Sequence, residues 1–138
     1  TSAHPVAVAV ASKVVDLMAE RDIVGHVRRV SRRFLERIHG FAGHPLVGTT
    51  RGVGLMGAVE LAADKKTRRK FPPLVKEALR RMCQERGLIL RATGATESLC
   101  FSPPLVITEA EIDEMFDIFA GALDDLALRV EREGLRAA

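Results

Sequence analysis

Tryptophan and tyrosine are absent, and phenylalanine supplies the whole 4% aromatic content. Binding to single-stranded nucleic acid wants stacking rings interleaved with basic residues, so a net charge of +3 does not by itself point to such a partner. Cysteine is scarce: Cys83 and Cys100 lack metal-ligand spacing and fall among apolar neighbours. That pattern reads as two buried thiols in a reducing cytosol, not as a disulfide framework. His4, His26, His39 and His44 show no convergent spacing either, so no metal site is expected. His4, ahead of a proline, suits a capping or packing role at a helix start. No apolar run reaches the roughly 18 residues that a membrane helix needs, and no secretory leader is visible. The expectation is a cytoplasmic chain without a membrane span. Low-complexity linkers and internal repeats are also lacking, so residues 1–138 read as one domain. A hydrophobic content of 47% can build its core, and 28% charged residues suit a soluble surface. The chain starts at Thr1 and enters a periodic segment almost at once, which reads as a piece of a longer polypeptide.

What is present is an alternation of helical and strand-like patterns. In residues 5–20, PVAVAVASKVVDLMAE, the early valines alternate, while Val10, Val14, Leu17 and Met18 follow helical spacing. Pro5 at a first helical position and the alanines favour a mostly buried helix. Asp22 can cap a second helix with Ile23, Val27, Val30, Phe34 and Ile38 on one face and Gly40 at its end. Residues 46–51 and 53–61 are glycine-punctuated strands expected to turn near Arg51-Gly52. The polar stretch 64–70 reads as a loop. Pro72 and Pro73 open a third helix, with Val75, Leu79 and Met82 inward and Gly87 ending it. Leu88, Ile89 and Leu90 read as a buried strand that pairs with residues 98–102. Thr108 and Glu111 have capping-box spacing ahead of a last helix with Ile112, Met115, Phe116, Phe119, Leu123, Leu126 and Val130 inward. The fold class expected from this order is α+β, a small antiparallel sheet covered by helices on one face.

Few residues offer chemistry. Gly52-Val53-Gly54-Leu55-Met56-Gly57 has the spacing of a dinucleotide fingerprint, but that motif must turn a strand into a helix, and Ala58 to Leu61 continue as strand. Close backbone packing or a bulge is the better reading. The arginines of RRVSRR, residues 28–33, fit either a solvated helix face or an anion or nucleic-acid patch. Lys13 shares its helix with Ser12 and Asp16, while Lys65, Lys66, Lys70 and Lys76 are read in polar contexts, so none resembles a buried catalytic amine. Arg91, at the end of the strand 88–90, fits two descriptions. It is a solvated or structurally paired charge, or a planar two-pronged donor suited to a carboxylate. Spacing does not choose between them.

Three stretches, RGVGLMGAVELAADKKTR, RGLILRATG and FSPPLVITEAEIDEM, resemble the C-terminal small domain of class III aminotransferases, nearest to the omega-amino-acid:pyruvate and amine:pyruvate branch. TSAHPVAVAVA resembles the lead-in from the large domain, making residues 1–20 a lead-in helix. The resemblance implies a fold-type I enzyme that uses pyridoxal 5'-phosphate as an electron sink. It also implies a homodimer or higher oligomer that moves an amino group from an amine or omega-amino acid to a keto acid such as pyruvate. On the matching motif, the family's substrate-carboxylate arginine falls on Arg91, which is thought to swing in for acids and away for apolar groups. The family's phosphate-binding threonine falls near the start of the chain, making Thr1 the candidate cofactor contact. The family's catalytic lysine and its pyridine-pairing aspartate belong to the large domain, so no catalytic residue is assigned here and the chain alone is expected to be inactive. Where the family often has Gly-Asp soon after the arginine, this chain has Gly94-Ala95-Thr96. The rival readings are a mutase or decarboxylase on the same scaffold, and a non-catalytic basic module built on residues 28–33.

Overall fold

A computed structural model describes residues 4–93 and 96–136. The described residues form four helices and four strands in the order α1 (Pro5–Glu20), α2 (Ile23–Gly40), β1 (Val47–Val53), β2 (Met56–Leu61), α3 (Pro73–Glu85), β3 (Arg91–Ala92), β4 (Ser98–Phe101) and α4 (Glu109–Arg132), with a 3-10 turn at Phe41–Gly43. The strands make one antiparallel sheet ordered β1-β2-β4-β3. The expected α+β layer is therefore what forms: α2, α3 and α4 cover one face and leave the other open.

Local chemistry explains the element ends. The Asp22 side chain caps α2 by accepting from the Gly25 amide at 3.2 Å. At α4 the capping box is complete, with Thr108 Oγ1 accepting from the Glu111 amide and Glu111 Oε2 accepting from the Thr108 amide. α3 ends in a Schellman motif: the amides of Gly87 and Leu88 reach the carbonyls of Gln84 and Cys83, and Gly87 supplies the left-handed φ of 88°. His4 stands at the N-cap of α1, exposed and making no side-chain cap hydrogen bond, so its expected capping role is not seen.

The core lies between the sheet and three helices. Five of the six phenylalanines form one connected cluster, in which Phe101 from β4 meets Phe116 and Phe119 of α4 with ring centroids 5.0 Å apart, while Phe34 and Phe41 join from the α2 side. The inward positions expected for α4 are all buried except Met115, which is half-buried.

Four expectations need correction. α1 is a helix but not a buried one: Val6, Val8, Val10, Val14 and Val15 are all exposed, and only Leu17 and Met18 are half-buried. Its apolar residues run round the helix, while α2 offers it a neighbour on one side only. The β1–β2 turn falls at Gly54-Leu55, beyond Arg51-Gly52, because a two-residue hairpin loop needs a positive φ and Gly54 provides 58°. Residues 88–90 form no strand. Leu90 is buried, but Ile89 is 83% exposed and the ladder begins only at Arg91. Finally, Cys83 is buried whereas Cys100 is only half-buried on the open face.

Candidate functional site

Strand register puts four residues in one row. Arg51 pairs with Ala58, Ala58 with Cys100, and Cys100 with Arg91. Directly paired residues share a face. This is the face away from the helices, because the neighbours Gly57, Val59, Leu99 and Phe101 turn inward. With strands about 4.8 Å apart, the backbones of Arg51 and Arg91 stand roughly 14 Å apart at the two ends of the row. An open groove of about 480 Å³ runs from this row towards the β1–β2 hairpin tip, lined by Arg51, Val53, Met56, Ala58, Cys100 and Ser102. Arg91 is not part of its lining, but it adjoins Cys100, which is.

The two arginines differ in what they hold. Arg51 Nη1 donates to Glu60 Oε2 and its Nη2 to Ser98 Oγ, each at 2.8 Å. The Arg91 side chain is exposed and has no hydrogen-bond or ion-pair partner among the described residues. It opens β3 instead of closing the strand before it, so the sequence located its neighbourhood correctly and its place in the strand wrongly.

Beneath the same segment, the protein buries a lysine that sequence reasoning misread. Lys76 on α3 is 7% exposed, and its ammonium donates to Thr93 O at 2.5 Å and Thr96 O at 2.7 Å. Glu97 Oε1 lies 3.7 Å away, and Glu97 is itself buried. The signal was available: Lys76 stands three residues before Leu79 and seven before Cys83, within the inward stripe of α3. On the open side, hydroxyl bonds link Thr93 Oγ1 to Thr96 Oγ1 at 2.7 Å and Thr96 Oγ1 to Ser98 Oγ at 2.9 Å. The Thr93 amide donates to Ser98 O at 3.0 Å.

The remaining sequence candidates have structural explanations. A Cβ on Gly57 would come within 2.5 Å of Ile38 Cδ1, and one on Gly52 within 2.8 Å of Leu35 Cδ2. These glycines admit α2 to the sheet, as close packing predicts, and face no helix N-terminus. The basic face of α2 is partly paired: Arg33 Nε donates to Asp113 Oδ1 at 2.8 Å, Arg37 bonds Asp117, and Arg29 bonds Asp22, while Arg28 and Arg32 are exposed. The Arg33 hydrogen bond holds the Asp113 carboxyl below the usual carboxylate range. His26 contacts Ile107 O at 2.8 Å and His39 contacts Thr50 Oγ1 at 3.0 Å. Burial pushes the His44 imidazole down despite Asp124 nearby, and its Nδ1 accepts from the Leu46 amide at 3.2 Å. No cluster of potential metal ligands occurs among the described residues. Thr1, the candidate cofactor contact, lies outside the described residues, as does most of the Gly94-Ala95-Thr96 departure.

Comparison with known proteins agrees with this architecture. The family model described as Aminotransferase class-III matches residues 2–123. A probable gamma-aminobutyrate transaminase 4 of Oryza sativa subsp. japonica is 42% identical over 132 residues, covering 94% of this chain and 27% of that protein. The putrescine–pyruvate aminotransferase of Pseudomonas aeruginosa is 41% identical over 131 residues, covering 94% of this chain and 28% of that protein. Among solved structures, an omega transaminase from Pseudomonas jessenii in complex with PMP superposes with a TM-score of 0.87 at 35% identity, over 93% of this chain and 28% of that one. The chain thus spans little more than a quarter of the length of these proteins.

Proposed function

Because the chain belongs to the class III aminotransferase family, we propose that it is the small C-terminal domain of a pyridoxal-phosphate-dependent transaminase and that Arg91 is its substrate-carboxylate clamp. The donor would be an amine or omega-amino acid and the acceptor a keto acid such as pyruvate. The relatives named for gamma-aminobutyrate and putrescine–pyruvate chemistry support that substrate range. The observation that carries the assignment is the contrast within one row of the sheet: Arg51 is held by Glu60 and Ser98, whereas Arg91 faces outward with its side-chain donors uncommitted among the described residues. A guanidinium in that state can meet both oxygens of a carboxylate. It can also turn aside for an uncharged substituent, since no partner among the described residues holds its side chain.

The described residues do not make a cofactor site. Among them, the only buried lysine is Lys76, and its amine is committed to two carbonyls on the helix side of the sheet. The pyridoxal phosphate that the family implies would therefore be seated by the longer protein's other parts, with Thr1 the one contact proposed from this chain. A partner subunit in a homodimer or higher oligomer would complete the site. The chain alone is expected to show no transaminase activity.

In the full-length enzyme, Arg91→Ala should raise KM for pyruvate by the equivalent of roughly 2–4 kcal/mol, the loss expected for a two-pronged charged contact. KM for a simple arylalkylamine should change little. Equal effects on the two substrates would remove the assignment.

A further inference from the structure

We propose that Lys76 is a positioning residue for Arg91, tying the β3–β4 connection to α3 and so fixing the backbone from which the guanidinium reaches. The proposal rests on the reading of Arg91 as a carboxylate clamp.

An ammonium is an unfavourable occupant of an inward helical stripe, because burial removes its hydration. Val75, Leu79 and Cys83 fill the rest of that stripe with apolar groups, so packing alone would favour a leucine or methionine at position 76. The lysine is tolerated because its three N–H bonds face three acceptors: Thr93 O, Thr96 O and the Glu97 carboxylate. Two of these flank the connection that follows β3, and the third begins the approach to β4.

The connection needs such an anchor. β3 has two residues, lies at the sheet edge and pairs with β4 through only Arg91↔Cys100 and Ala92↔Leu99. A ladder that short holds its end weakly, and edge strands lack a second neighbour. Thr93, two residues beyond Arg91 and on the same face, is bound through both backbone groups: its amide donates to Ser98 O and its carbonyl accepts from Lys76. The hydroxyl links from Thr93 through Thr96 to Ser98, and from Ser98 to Arg51, secure the same segment on the open face. Thr93 and Thr96, at its two ends, are thus held from both sides of the sheet. Arg91 can then move by side-chain rotation alone, on a mount that stays in place.

The test uses the full-length enzyme with Lys76→Met, which keeps the stem and removes the ammonium. KM for pyruvate should rise about tenfold, the effect of losing charged hydrogen bonds that hold a binding group. KM and kcat for a carboxylate-free arylalkylamine should stay unchanged. In an Arg91→Ala background the same substitution should add nothing for pyruvate. Hydrogen exchange at the Thr93 amide should quicken in Lys76→Met, a readout that does not depend on turnover. Losses shared equally by both substrates, or a further loss of pyruvate affinity without Arg91, would overturn the proposal by showing a general structural role. If Arg91→Ala is selective for pyruvate but Lys76→Met is silent, the positioning role falls and the clamp stands. If Arg91→Ala is itself unselective, both fall. Should Lys76→Met reduce the folded yield, Glu97→Gln removes the facing charge at constant size, and absence of a selective pyruvate effect there overturns the proposal equally.

Discussion

At the scale of single residues, environment rather than residue type decides role. Arg51 and Arg91 share a face and a row, yet a carboxylate and a hydroxyl occupy the first while the second is uncommitted among the described residues. The cysteines divide the same way. Burial pushes the Cys83 thiol up to about 11, which suppresses the reactive thiolate near neutral pH, while Cys100 lies half-open beside the groove. A maleimide applied to the folded protein should spare Cys83 until denaturant is added, and mass mapping of labelled peptides would show it. Titration has a sign that follows from the same logic. The Asp64, Glu77, Glu111 and Asp113 carboxyls are all held below their ordinary range, Asp64 chiefly by the Thr67 and Lys66 amides, Glu77 by Arg80, Glu111 by Thr108 and Asp113 by Arg33. A lowered folded pKa means that the unfolded chain binds more protons, so their contribution is present above about pH 4 and lost as pH falls through the folded values. His44, lowered mainly by burial, acts in the same direction but higher: its contribution is complete above about pH 6.5 and declines below it. Urea midpoints measured from pH 8 to 3 should therefore fall first modestly below pH 6.5 and then steeply below pH 4. His44→Gln should remove the first step alone.

At the scale of elements, helix boundaries were legible because their chemistry is local. Asp22, Thr108-Glu111 and Gly87 act on the backbone within a few residues, and each did in the structure what its position indicates. Thr108→Ala should cost about 1 kcal/mol, the usual value of a lost N-cap, read from a shift in denaturant midpoint without a change in slope. The strands around Arg91 were less legible, because pairing depends on a partner distant in sequence. Leu88-Ile89-Leu90 has the composition of a buried strand, but α3's Schellman end and the pairing of β4 start the ladder later. Lys76 was legible as an inward position on α3 but not in what it holds. Its sequence neighbours include Glu77 and suggest solvent, while its three acceptors come from residues 93–97 and meet it only after folding.

At the scale of the whole molecule, the α+β layer was readable from the order of patterns, and the phenylalanine cluster from the inward stripe of α4. The exposure of α1 was not, since an all-round apolar helix signals a buried setting without saying which surface supplies it. The proteins it resembles are more than three times as long. The valines of α1, with Val53 and Met56 at the hairpin tip, leave apolar surface on this chain. Produced alone, it should self-associate through that surface, with sedimentation showing mass that grows with concentration. A strictly monomeric profile would contradict this. With no tryptophan or tyrosine to stack on bases, and with Arg29 and Arg33 committed to Asp22 and Asp113, a salt-dependent gel shift should be absent.

As a carboxylate clamp, the proposed role of Arg91 is to recognise the acid substrate and not the amine. Single-turnover half-reactions of the full-length enzyme test it most directly, comparing wild type with Arg91→Ala first for pyruvate and then for an arylalkylamine. Arg91→Ala should lower pyruvate efficiency by at least about thirtyfold, following from the clamp's lower bound of about 2 kcal/mol, and leave the amine half-reaction essentially unchanged. Loss of both half-reactions together, or retention of both, would contradict it.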